Sequence, residues 1–441
     1  MTTLPWQKLR LVCVALLALT SLGAGGITPA VAAPTPTFFV DPAKLPFDPL
    51  PGVDTSRYWG VLGGAGYRIE IPDDWNGELV MWAHGYRGTG LELTVDSPPI
   101  RSYLVTHHFA WAASSYTRNF YDVRSGVLST HDLREFFIEL VGRPERTYMA
   151  GVSMGGHITG VTIEHYADDY AGALPMCGVM GDTALFDYFL DFNLVAQAAA
   201  GHQAVFPYPT NYATVVVPAV KSALGPNYPV SLNTAGQHLK DATMMRSGGP
   251  RPLFDVGFTY FWGKDFLFTL TNGGDGTLGG ITGSNIATNV GTVYKFSRNR
   301  TLSAEEAALN NSVLRVARGP QRPPVDGLAD IPTISGDLPF PVVSMHTLGD
   351  LFVPFSMEQI YARRAAAFHK SDLLVTRAIR DANHCGFTSA EMERGFGDLV
   401  NWVENGVKPK GDAILNANAV AASNFGCAFT TERRSYAPPC P

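Results

Sequence analysis

The chain has 441 residues, 46% of them hydrophobic and 16% charged, which supplies one large core or two ordinary domains and excludes a disordered tail. Against 39 Asp and Glu stand 33 Lys and Arg, a formal charge of −6, with no basic run of the kind that grips phosphate backbones, so nucleic acid is not an expected partner. The 45 Gly and 31 Pro follow no repeating period, which excludes a collagen-like chain and points to long ordered loops.

Lys8 and Arg10 precede an apolar run from Leu11 to Leu22, and Ala30-Val31-Ala32 follows shortly after. Charged, apolar and small-residue parts in that order make a secretory signal peptide over residues 1–32, cleaved after Ala32. The apolar run is too short to cross about 30 Å of hydrocarbon, which takes roughly 20 residues, and no other stretch could span a membrane. The mature chain is expected to be a soluble, acidic, exported protein. Thiols outside the cytoplasm tend to be oxidised, so Cys177, Cys385, Cys427 and Cys440 are read as bridging. Within the C-terminal tail, residues 408–441, Cys427 and Cys440 flank a polar, Pro-containing stretch that a bridge would tie down, and Cys177 is then left to pair with Cys385. Two free buried thiols are the alternative for that second pair.

After a Pro-rich stretch, Tyr58 to Ile71 reads as two short strands around Gly63-Gly64-Ala65-Gly66, a hairpin signal. Glu78 to Ala83 is an apolar run ending at His84-Gly85-Tyr86, the pattern of a buried strand entering a Gly-rich loop. Phe109 to Ser114 repeats that form. Leu133, Phe136, Phe137 and Leu140 recur at helical spacing; Arg146 to Val152 is strand-like and Met154 to Tyr166 helical. Strands alternating with helices predict a mostly parallel sheet covered on both faces. The first part of this core is placed at residues 33–181. The alternation returns at residues 339–407, with strands at Pro341 to His346 and Leu373 to Ile379 and helices at Met357 to His369 and Ser389 to Val403. Between them, residues 182–338 lose the pattern and are rich in aromatics such as Phe186, Phe189, Phe258 and Trp262. A structureless loop of that length is implausible, so the block is expected to be an inserted, mainly helical lid.

The strongest local signal is Gly151-Val152-Ser153-Met154-Gly155-Gly156, a GxSxG between a strand and a helix. Small neighbours allow a sharp turn that lifts the serine hydroxyl clear of the sheet. A serine needs a base to take its proton, and the base needs a carboxylate to orient it, in the chain order Ser, Asp or Glu, His. Asp350 follows one late strand and His384 the next. Asp337 and Asp381 are rivals for the acid, but Asp350 lies on the expected side of its strand. His157, one turn into the helix after Ser153, is expected to pack or hydrogen-bond there. No HExxH or CxxC spacing occurs, so neither a catalytic metal nor another cofactor is expected. Attack on a carbonyl creates an oxyanion that backbone N–H groups must meet, here those of Met154 and Tyr86.

HGYRG, GVSMGG, GDLFVP and NHCGF, in this order, resemble the α/β-hydrolase fold superfamily over Tyr58 to Val407, with residues 182–338 in the usual lid position. The segments Ser114 to Asn119 and Ser247 to Pro252 are similar to those of secreted bacterial hydrolases. The resemblance implies a Ser153 nucleophile, an Asp350 acid and a His384 base. Feruloyl esterase and tannase-like relatives often carry a cysteine directly before the nucleophile, bridged to one after the histidine. Here that position is Val152, and Cys177, ending the next strand, is expected to take over the pairing with Cys385 and brace the His384 loop. The expected activity is hydrolysis of a small-molecule or polymeric carboxylic ester, with the oligomeric state left open. A peptidase on the same fold would need acidic lid groups, for which Glu305 and Glu306 are available; a non-catalytic binding protein is the remaining reading.

Overall fold

The computed structural model describes residues 37–225, 231–264, 266–269 and 274–441. The predicted signal segment, residues 1–32, lies outside the described residues. In chain order the strands are β1 (Phe39–Val40), β2 (Thr55–Leu62), β3 (Ala65–Pro72), β4 (Glu78–Ala83), β5 (Glu92–Leu93), β6 (Ala110–Ser114), β7 (Arg146–Val152), β8 (Gly172–Met176), β9 (Val342–Thr347) and β10 (Leu374–Ile379). Eight of them form one sheet in the order β10-β9-β8-β7-β4-β6-β3-β2. It is parallel from β10 to β6, and the predicted hairpin β2–β3 adds the antiparallel edge. The short β1 and β5, which no apolar run announces, pair separately.

Core helices α1 (Arg101–Thr106), α2 (Val123–Val141) and α3 (Met154–His165) come early, and α10 (Ser356–Ala367) and α11 (Ser389–Asn405) late. Side-chain alternation along β4 divides its residues between two cores. Leu79, Met81 and Ala83 pack with Val127 and Phe137 of α2, Ile158 of α3 and Tyr361 of α10, whereas Val80 and Trp82 pack with Leu104 of α1 and Phe396 and Leu399 of α11. Burial on both faces explains why β4 reads as a continuous apolar run. Leu140 is 41% exposed, so the stripe on α2 is Leu133 and Phe137 with Phe136 partly covered.

The inserted block carries α4 (Ala184–Ala199), α5 (Val217–Leu224), α6 (Thr234–Arg246), α7 (Phe254–Gly263), α8 (Phe266–Thr269) and α9 (Ala304–Ser312). Its helices bury a core of their own, including Phe192, Phe258, Phe261 and Trp262, that is continuous with Leu351 and Val353 of the sheet's C-terminal rim. The block is less helical than expected, since most of its later part is irregular backbone satisfied by side chains. Asn285 donates to the carbonyls of Ala287 and Ala317, and the buried Asn289 donates to Leu314 O and accepts from Val316 N. Such pairing meets the requirement that buried backbone groups be bonded without helix or strand.

The segment after residue 407 is more than a tail. It contains α12 (Ala417–Ala421) and buries Ile414, Val420, Phe425 and Ala437 against Leu348 and Phe355. From Thr37 onward the chain is one compact unit. Among the described residues no helix is long and apolar enough to cross a membrane.

Candidate active site

Parallel strands deliver their C-terminal ends to one edge of a sheet, and the crevice there is where open α/β sheets bind ligands. In this chain β4 ends at the His84-Gly85-Tyr86 loop, β7 at Ser153, β8 at Cys177, and β9 and β10 just before Asp350 and His384. Ser153 sits at a strained corner with φ +57°, a conformation that L-residues adopt at a cost. The turn is possible because its neighbours lack side chains. A methyl group on Gly151 would collide with the Gly155 carbonyl, one on Gly155 with the Ala83 carbonyl of β4, and one on Gly156 would lie 2.5 Å from Gly178 Cα.

His384 Nε2 lies 2.8 Å from Ser153 Oγ, and its Nδ1 lies 2.6 Å from Asp350 Oδ2. The other oxygen, Asp350 Oδ1, accepts the backbone N–H groups of Phe352 (2.8 Å) and Val353 (3.1 Å), so the fully buried carboxylate can turn only one oxygen toward the imidazole. The three side chains chosen from the sequence are thus in one hydrogen-bonded line. The rivals for the acid stand elsewhere: Asp337 faces Lys370 on the surface, and Asp381 is paired with Arg434.

Two further histidines near the rim are neutral. Burial, reinforced by Arg87, pushes His84 down to about 4; its ring stacks on Tyr116 with centroids 4.1 Å apart. Burial likewise pushes His346 down to about 4, and its Nε2–H donates to the Val353 carbonyl at 2.8 Å. Both support the loops flanking the serine. His157 is buried as expected, bonding Tyr121 and the Pro332 carbonyl.

Met154 is the first residue of α3, where backbone N–H groups have no partner within the helix. Across from it, the Gly85 backbone presses on Ser153: a Cβ there would lie 3.1 Å from Ser153 Cβ and 3.6 Å from Oγ. The Gly85–Tyr86 backbone therefore borders the serine closely. Ser153 opens into a cavity of about 330 Å³ walled by Tyr86, Phe120, Phe186, Phe189, Leu278 and Phe352. Its remaining lining among the described residues is Thr89, Tyr121, Val179, Leu185, Thr277, Gly279 and Val353, so no charged side chain faces it.

Cys177 and Cys385 are bridged across 208 positions of sequence, and Cys427 is bridged to Cys440. Cys385 adopts φ +56° directly after His384, so the first bridge ties the imidazole loop to the end of β8. A Cys177→Ser/Cys385→Ser double variant is expected to lose about 2–4 kcal/mol in urea unfolding, since the bridge closes a long loop. Its turnover should fall under conditions where the variant is fully folded, because His384 loses its tether. Unchanged turnover would mean that other contacts suffice to place the imidazole.

Those contacts are ones that sequence reasoning missed. Arg434 bridges Asp381 and Glu391 and donates to the Gly386 carbonyl at 2.8 Å, and Tyr436 donates to Asp381 at 2.5 Å. Together they hold the His384 loop from the C-terminal segment. From the inserted block, buried Arg251 donates to the Leu348 carbonyl at 2.6 Å, two residues before Asp350. Only the Ser247 to Pro252 motif offered a signal for Arg251; nothing in the sequence marked Arg434.

No model of a known protein family matches the chain. A stretch of 94 residues, 21% of the chain, is 31% identical to the o-phthalyl amidase of Xanthobacter agilis and spans 20% of that protein's length. Among solved structures the chain is similar to feruloyl esterase B from Aspergillus oryzae, at 14% identity over 85% of this chain and 86% of that one, with a TM-score of 0.48. A second Aspergillus oryzae esterase aligns at 13% identity over 80% and 81% of the two chains, TM-score 0.45. The acylaminoacyl peptidase of Pyrococcus horikoshii aligns at 9% identity over 80% of this chain and 41% of that one, TM-score 0.38. Strand order and the serine turn between β7 and α3, rather than these overall similarities, identify the α/β-hydrolase fold.

Proposed function

We propose that this chain is an exported serine hydrolase that cleaves neutral carboxylic esters through an acyl-enzyme. The observation that carries the reading is the bonded line Ser153–His384–Asp350 opening into an uncharged, aromatic cavity. In this mechanism Ser153 Oγ attacks the ester carbonyl while His384 Nε2 takes its proton. The N–H groups of Met154 and Tyr86 meet the oxyanion, and loss of one such donor typically costs about a hundredfold or more. Collapse of the tetrahedral intermediate expels the alcohol, which receives the proton from His384. Water, deprotonated by the same imidazole, then releases the acid and restores the serine. Asp350 keeps Nδ1 protonated and stabilises the imidazolium. Two disulfides support export to an oxidising compartment.

The cavity favours aryl or medium-chain acyl groups, since burying apolar surface there contributes roughly 25 cal/mol per Å². An aminopeptidase would need a carboxylate to hold a free amine. Glu306 is committed to the capping box of α9 and to the Phe296 N–H, while Glu305 is exposed. A panel of p-nitrophenyl acyl esters set against aminoacyl and aroyl p-nitroanilides tests the assignment. Ester turnover should exceed that of every anilide, with kcat/KM rising from acetate to hexanoate and benzoate. Faster turnover of aminoacyl anilides would make it a peptidase, and faster turnover of aroyl anilides an amidase.

A further inference from the structure

Among the described residues lies a cavity larger than the one that contains Ser153. A cleft of about 450 Å³, within the ~300–1,000 Å³ typical of small-molecule sites, lies behind α4. That helix is a shared wall: Leu185, Phe186 and Phe189 face the serine cavity, and Ala184 and Tyr188 face the cleft. The acid-bearing turn divides them in the same way, with Phe352 and Val353 on one side and Ser356 and Met357 on the other.

The cleft's polar lining is one-sided. Arg246, Arg298 and Arg363 all border it, together with Gln359 and Ser356, and no Asp or Glu does among the described residues. Arg246 is already neutralised by the buried Asp191 at 2.6 Å. Arg298, itself exposed, bonds only neutral groups among the described residues, the Ala417 carbonyl and Asn418 Oδ1, which set its position without cancelling its charge. Arg363 projects from α10 at the exposed margin of the cleft, and among the described residues it has no ion-pair partner. Two uncancelled guanidinium groups therefore face one concavity on a chain whose overall charge is −6. A chain with excess acid could have paired them cheaply. Guanidinium forks match the geometry of tetrahedral oxyanions, to which they donate paired, charge-assisted hydrogen bonds. The volume exceeds that of a bare ion, and Tyr188, Met357 and Leu415 supply apolar surface for the remainder of a ligand.

We propose that this cleft binds a small organic monoester of phosphate or sulfate, a hexose phosphate or sulfate being the size that fits. The site is separate from the catalytic line and stands whether or not the ester assignment holds. Isothermal titration of the full chain at fixed ionic strength, with glucose 6-phosphate, glucose 6-sulfate and uncharged glucose, tests it. Both anions should bind, glucose should not, and the tighter anion identifies the source of the charge. Arg363→Ala and Arg298→Ala should each weaken binding at least tenfold, whereas Arg318→Ala, whose guanidinium pairs with Asp187 outside the cleft, should leave it unchanged. Should Arg363→Ala fold poorly by thermal unfolding, Arg363→Gln takes its place, and competition by inorganic phosphate provides a second readout. No heat with either anion, or affinity indifferent to both cleft arginines, would overturn the proposal.

Discussion

Ser153→Ala is expected to lower kcat on p-nitrophenyl esters by about a millionfold while leaving the melting temperature nearly unchanged. The size of the loss reflects the absence of any substitute nucleophile on the bonded line: with Oγ gone, His384 Nε2 faces a methyl group. Residual rate, about 10³ to 10⁴ above water, would come from oxyanion donors and substrate binding alone. Stability should hold because alanine has the same Cβ as serine at the φ +57° corner, so the backbone cost is common to both. The measurement is kcat beside thermal unfolding of the same preparation. A loss below a hundredfold would show that Ser153 is not the nucleophile.

Asp350→Asn is expected to cost about four orders of magnitude in kcat, a larger loss than the size of the change suggests. The backbone N–H groups of Phe352 and Val353 both donate to Asp350 Oδ1. In the variant they can be satisfied only by the amide oxygen, which forces the amide NH₂ toward His384 Nδ1. An NH₂ donates, so Nδ1 must offer its lone pair and the proton moves to Nε2. The imidazole then presents a donor to Ser153, where catalysis requires an acceptor. Asp381→Asn is the informative control. It weakens the pairing with Arg434 and the bond from Tyr436 but leaves the imidazole tautomer alone, so it should reduce stability more than kcat. Equal kcat losses for the two variants would refute this account of the acid.

Local features were the legible ones in the sequence. The bounds of β4 and β7 and the start of α3 are set by apolar runs and by glycines whose absent side chains are required where strand meets helix. The convergence of Asp350 and His384 was legible because each sits in the loop after its own strand, and parallel strands carry their trailing loops to a common edge. Arg434, Tyr436 and Arg251 were not, since each acts on a segment far away in sequence with no period or spacing to announce it. The same holds for the later part of the inserted block, where asparagine and arginine side chains bond backbone carbonyls across long separations in place of regular structure. Aromatic richness had two outcomes there. Phe258, Phe261 and Trp262 are core, and Phe186 and Phe189 both pack and line the cavity.

Covalent labelling with a fluorophosphonate, followed by peptide mapping, decides whether Ser153 is the nucleophile, because the probe reacts only where a serine is activated by its neighbours. One adduct is expected, on Ser153, absent from Ser153→Ala and formed far more slowly in His384→Ala. An adduct on another residue, or labelling of Ser153→Ala equal to that of the unaltered protein, would contradict that assignment.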